Sequence, residues 1–165
     1  MHRLSSRFAA AFGSAALAAL ACLPARAALA SPPDPPTYRC QGFDEPMNRP
    51  TVEIGRGRVL PLRAKLVAAD GKFADDGVVK AAPTIHVVYA PEGGKEVDKS
   101  GGLEVRDYGK GNHFVFDQEA HWKFDLGTGN LPEDGTYKVT VLSGDAKEYR
   151  VDPTCSLEFH LHAGK

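Results

Sequence analysis

Arg58-Val59-Leu60-Pro61-Leu62-Arg63-Ala64-Lys65-Leu66 alternates apolar and polar residues with a period of two. On an extended chain Leu60, Leu62, Ala64 and Leu66 point one way, and Pro61, Arg63 and Lys65 point the other. That is the pattern of a β-strand with one buried face. Pro61 has no N–H to give to a ladder, so an edge strand is expected here.

The same alternation recurs on both sides of this stretch. Ile85, Val87 and Tyr89 share a face, and Trp122, Phe124 and Leu126 alternate with His121, Lys123 and Asp125. Tyr137, Val139 and Val141 alternate with Lys138 and Thr140, and Cys155, Leu157, Phe159 and Leu161 with Ser156, Glu158, His160 and His162. Segments 102–108 and 113–117 are shorter, the second carrying Phe114 and Phe116, which are expected to pack, as is Trp122. No segment has a helical period. Asp70-Gly71, Asp76-Gly77, Gly93-Gly94, Gly101-Gly102, Gly109-Lys110-Gly111, Asp134-Gly135 and Ser143-Gly144-Asp145 punctuate the runs as turns. Residues 69–83 and 91–101 read as long loops. Seven or eight short strands at this spacing predict an all-β fold, an antiparallel β-sandwich. Leu131-Pro132-Glu133-Asp134-Gly135-Thr136-Tyr137 makes it immunoglobulin-like, because a Tyr opening a late strand after an Asp-Gly turn resembles a tyrosine corner.

The first thirty residues set the compartment. A basic start (Arg3, Arg7), an apolar run from Ala9 to Leu23 and small-x-small sites at Ala25-Arg26-Ala27 and Ala28-Leu29-Ala30 predict a signal peptide over 1–30. The run is too short to span a bilayer comfortably, so no transmembrane segment is expected after cleavage. Ala19-Leu20-Ala21-Cys22 has Ala where a lipobox has Leu, so ordinary cleavage is expected rather than lipid anchoring at Cys22. Ser31-Pro32-Pro33-Asp34-Pro35-Pro36 predicts a stiff linker over 31–37, leaving one domain over 38–165. The protein is expected to be periplasmic or extracellular.

The 165-residue chain has 20 Lys plus Arg and 21 Asp plus Glu; without the leader's Arg3, Arg7 and Arg26 the basic count falls to 17, a formal charge of −4. A mildly acidic domain is a poor partner for nucleic acid or anionic membrane. Arg56, Arg58, Arg63 and Lys65 read as a solvated strand face. Outside the leader there are two cysteines, Cys40 and Cys155. They lack Cys-x-x-Cys spacing, and in an oxidising compartment a disulfide is expected over two free or metal-binding thiols. A loop of that length would stabilise by roughly 4–5 kcal/mol on the chain-entropy model.

In order along the chain, Gly42-Phe43-Asp44-Glu45-Pro46-Met47, Pro61-Leu62-Arg63-Ala64, Trp122-Lys123, the Gly135-Thr136-Tyr137 turn and Cys155-Ser156-Leu157-Glu158-Phe159-His160-Leu161 resemble the PxKF-type domain of bacterial extracellular proteins. The resemblance covers roughly residues 39–161 and implies a non-catalytic, immunoglobulin-like secreted module. Arg63 and Ala64 stand where that family has Lys and Phe, so a larger neighbour is expected to fill the space beside Ala64.

Histidines are the chemical candidates. His160 and His162 share one face of the last strand with Glu158, so two imidazoles can reach one copper or zinc ion, with Glu158 or a His of a neighbouring strand, such as His113 or His121, as third ligand. The competing expectation is a solvent-facing polar row. No nucleophile–base pair, phosphate loop or marked carboxylate pair is present, so the chain is read as not an enzyme and as needing no cofactor. The expected function is binding of a protein or cell-envelope partner, through the loops or an edge strand. Copper or zinc binding is the alternative.

Overall fold

Eleven β-strands and no helix make up residues 33–163, the part of the chain that this computed structural model describes. The expected leader, its cleavage sites, Cys22 and the start of the Pro-rich linker lie outside the described residues. The strands are β1 (Thr37–Phe43), β2 (Thr51–Gly55), β3 (Val59–Val67), β4 (Thr84–Ala90), β5 (Val97–Asp98) and β6 (Glu104–Val105). They continue as β7 (Val115–Phe116), β8 (Trp122–Gly127), β9 (Gly135–Leu142), β10 (Arg150–Val151) and β11 (Ser156–His162). Seven of them have five or more residues.

Sheet one has the order β10-β1-β3-β8-β6, with β7 also on β8; sheet two has the order β2-β11-β9-β4-β5. Strands β1, β3, β8 and β6 thus stand in the A-B-E-D order, and β11, β9 and β4 in the G-F-C order, of an immunoglobulin sandwich. Alternation fills the space between the sheets. Leu60, Leu62, Ala64 and Leu66 of β3 and Trp122, Phe124 and Leu126 of β8 meet Ile85 and Val87 of β4, Tyr137, Val139 and Val141 of β9, and Leu157, Phe159 and Leu161 of β11. Each large side chain buried this way contributes on the order of 1.5–3 kcal/mol. Ala64 lies in register between Phe43 of β1 and Trp122 of β8, so two aromatic side chains fill the space beside its methyl group.

The tyrosine corner forms as expected. The Tyr137 hydroxyl donates to the Glu133 carbonyl at 3.0 Å, while its ring stacks on Phe159 at 5.2 Å. Burial, helped by the adjacent Glu133 carboxylate, pushes its pKa up to about 12.

The structure differs from the expectation in two respects. The sandwich is not wholly antiparallel: β1–β10 and β2–β11 are parallel pairs. The segments 37–55 and 150–162 both pass from sheet one to sheet two, side by side and in the same direction, so each pairing they make with one another is parallel. The Cys40–Cys155 disulfide ties the two crossings together, with Cα atoms 5.3 Å apart. A bulge at Gly42, whose φ of 101° suits glycine, shifts the β1 register there and lets its N–H meet Cys155 Sγ at 2.9 Å.

The second correction concerns β3, which is an interior strand despite Pro61. Pro61 pairs with Asp125 of β8, whose N–H and C=O both face the other way, toward Tyr108 and Arg106. The Pro61 nitrogen therefore points toward β1, and the β1 pairing stops at Ala64. The proline occupies a locally open edge of an interior strand.

Residues 69–83 are more than a loop. Ala74 and Val79 are buried, and the Trp122 indole donates to the Ala74 carbonyl at 2.8 Å. This segment closes one side of the sandwich.

Candidate functional site

The outward face of β3 and β8 places two cations directly opposite each other, Arg63 and Lys123. Like charges in that register repel, and four neighbours offset the repulsion. Arg63 Nη1 donates to Asp125 Oδ1 at 2.8 Å, and Asp125 is only 4% exposed. Lys123 is ion-paired with Asp117 and lies 3.8 Å from Glu119. Both cations reach the ring of Tyr108, whose centroid is 5.0 Å from the Arg63 guanidinium and 5.1 Å from the Lys123 ammonium. Both distances are within cation–π reach. Tyr108 remains 40% exposed.

The chain reaches this position through Gly109. Its φ is 121°, and a Cβ there would lie 2.9 Å from both Phe124 and Val105. Only glycine lets the backbone press against the core and leave the Tyr108 ring on top. The Tyr108 carbonyl also accepts the Asp125 N–H at 2.7 Å, so ring and carboxylate are placed by the same backbone contact.

Around this centre the face continues in both directions. Lys65, two residues along β3 from Arg63, holds its ammonium 5.8 Å from the ring of Phe73, which is 47% exposed. Asp117 Oδ1 accepts the N–H groups of Glu119 and His121, each at 2.9 Å. His121 Nε2 meets Asp44 Oδ2 at 2.7 Å. Burial opposes ionisation of Asp117, but Lys123 and those N–H groups outweigh it and hold the carboxyl below the usual carboxylate range. Asp117 in turn raises the Lys123 pKa.

Arg63 and Lys65, read from the sequence as solvated, are thus parts of an ordered cation–aromatic face. Arg56 is elsewhere, bonded to Asp134 at 2.5 Å. Tyr108 and Phe73 carried no local signal, because each depends on contacts with strands far along the chain.

The structure places the expected metal candidates on sheet two. His160 is half-buried on β11, in register with Thr136 of β9 and Glu53 of β2. His162 is exposed, with Nδ1 3.2 Å from its neighbour's carbonyl. Glu158 pairs in register with Lys138. His113 sits at the Thr84 and Lys110 bridges, and His121 lies just before β8, beside Asp44. Among the described residues, the group that brings three potential ligands within 4.8 Å is Asp117, Glu119 and His121, which includes neither His160 nor His162. Lys123 already supplies a cation to that group.

No family model and no curated protein sequence matches the chain. Among solved structures it is similar to the Lin-41 filamin domain, with 14% identity, a TM-score of 0.39 and coverage of 76% of this chain and 91% of that one. It is also similar to the RIG-5 IG1 homodimer structure, with 12% identity, a TM-score of 0.34 and coverage of 79% of this chain and 99% of that one. No helix among the described residues is long and apolar enough to cross a membrane.

Proposed function

We propose that this chain is a secreted or periplasmic, non-catalytic immunoglobulin-like module that binds a protein or cell-envelope component through the Tyr108 face of sheet one. One observation carries this: an exposed aromatic ring lies against two cross-strand cations that a buried carboxylate and Asp117 fix in turn. Such a ring loses little conformational freedom on binding, so its contact area is converted efficiently into affinity. Aromatic residues and arginine are also the side chains most often found at the energetic centre of interfaces. The leader-like first thirty residues, the Cys40–Cys155 bond and the resemblance to PxKF-type domains support the compartment.

A photoactivatable residue at position 65, two residues along β3 from Arg63 and beside Phe73, is expected to trap one discrete adduct in the producing cells. The Tyr108→Ala/Phe73→Ala variant is expected to lose that adduct while melting within a few degrees of the parent. An adduct that survives the double substitution would overturn the assignment. The alternative, copper or zinc on His160 and His162, is favoured by their shared face of β11.

A further inference from the structure

Along β7 and its hairpin lies a groove of about 450 Å3, bounded on the other side by residues 76–82. That volume is within the usual range for binding sites. Val79, Phe114, Phe116 and Trp122 supply apolar lining, and Lys80, Lys110 and His113 stand at its rim with Asp76. Val115, also on the groove, is 42% exposed.

Both walls are fixed by hydrogen bonds. The Glu148 carboxylate accepts the Lys80 N–H at 2.5 Å and the Ala81 N–H at 2.9 Å. The Tyr149 hydroxyl donates to the Ala81 carbonyl at 2.9 Å. On the other wall the Phe114 N–H donates to the Pro83 carbonyl at 2.9 Å. Asp117 N–H bonds to the His121 carbonyl across the hairpin, so alternation turns the N–H and C=O of Phe116 away from β8 and toward the groove. Among the described residues neither Lys80 nor Lys110 has an ion-pair partner.

The geometry points to this groove as a second binding site, for an extended peptide segment that carries an acidic side chain beside an apolar one. A peptide main chain matches the outward N–H and C=O of Phe116 by strand addition, which an acyl chain cannot do. The apolar side chain lies over Phe116 and the half-buried Ala81 and Ala82, and the carboxylate is met by Lys80 or Lys110. The groove shares no side chain with the Tyr108 face, so either site can fail alone.

The test is selection from a displayed random peptide library on the purified, oxidised protein. Enriched sequences are expected to pair Asp or Glu with an aromatic or branched aliphatic residue. A synthetic peptide of that kind is expected to shift the Phe116 amide resonance and leave that of Lys123 in place. Lys80→Glu/Lys110→Glu, both at exposed positions, should weaken it at least tenfold, and a peptide with Lys in place of its acid should regain binding to that variant. N-methylation of the peptide's central amide should abolish binding. No enrichment, indifference to the charge reversal, or shifts confined to the Tyr108 face would overturn the site. A Phe116 shift that tracks protein concentration without peptide would assign the groove to a second copy and overturn the peptide.

Discussion

On sheet one, Arg63, Lys123, Asp125, Asp117 and Tyr108 are bonded or stacked to one another across β3, β8 and the adjoining turns. On sheet two, Glu158, His160 and His162 of β11 lie beside Thr136, Lys138 and Thr140 of β9, and among the described residues no ion pair joins the two strands. Both faces arise from the same alternation of polar and apolar residues. The difference lies in register and in one turn residue. Sheet one sets cation against cation, and the arrangement holds because a buried carboxylate, a second acid and an aromatic ring converge on the pair. Sheet two sets Glu158 against Lys138 and histidine against threonine, pairings that need no further support. Alternation decides which residues face outward; cross-strand register decides whether they become a built surface.

Asp125→Ala should break the contrast most. It leaves the part-buried Arg63 without its carboxylate, and a loss of about 3 kcal/mol is expected from removing one partner of such a pair. Glu158→Ala on the other face should change stability by no more than about 0.5 kcal/mol. Urea melts of the two variants measure both values. Equal losses would show that the faces are built alike.

A smaller effect is expected from Lys123→Met, about 1 kcal/mol, and it should fall off at both ends of the pH range. The Asp117 carboxyl has a folded pKa below its unfolded value of about 3.9. Its contribution is therefore fully present above about pH 4 and is lost as pH falls through the folded value. The gap between parent and variant should narrow in acid. The gap should narrow in alkali as well, because Asp117 raises the Lys123 pKa and the pair's contribution is lost, in the parent alone, as pH rises through that raised value. Tyr137 and Tyr149, both in the shared interior, have pKa values raised by burial to about 12 from 10.0. The stability they contribute is whole below about pH 10 and is lost as pH rises toward 12, equally in parent and variant. Unfolding followed by tryptophan fluorescence across pH measures both limbs.

The smallest effect is expected on sheet two. Calorimetric titration with copper and zinc should show no stoichiometric submicromolar binding, and His160→Ala/His162→Ala should change nothing. Tight binding lost in that variant would move the functional face from sheet one to sheet two.

Much of the framework was legible in the sequence. Period-two runs marked β3, β4, β8, β9 and β11, and the turn before Tyr137 marked the corner. β1, β2 and β10 were not legible as strands. β1 is interrupted by the Gly42 bulge, β10 has two residues, and β2 is a short strand completed by a parallel partner more than a hundred residues away. Pro61 misled because it speaks to one missing N–H, whereas its strand ends up interior through pairings on both sides. The Tyr108 face was hidden for a related reason. Arg63 and Lys123 look like ordinary outward residues until the β3–β8 register sets them opposite each other. Tyr108 lies in a turn where alternation has no meaning. Ala64 is the instructive intermediate case: the need for a larger neighbour was readable, but that Phe43 and Trp122 meet it was not.

The most direct measurement is paired photo-crosslinking in the producing cells, with the photoactivatable residue placed at position 65 on one face and at position 158 on the other. Recognition through sheet one predicts a discrete adduct from position 65 and none from position 158. An adduct from position 158 alone would contradict it and make the β11 row, not the Tyr108 face, the surface that binds.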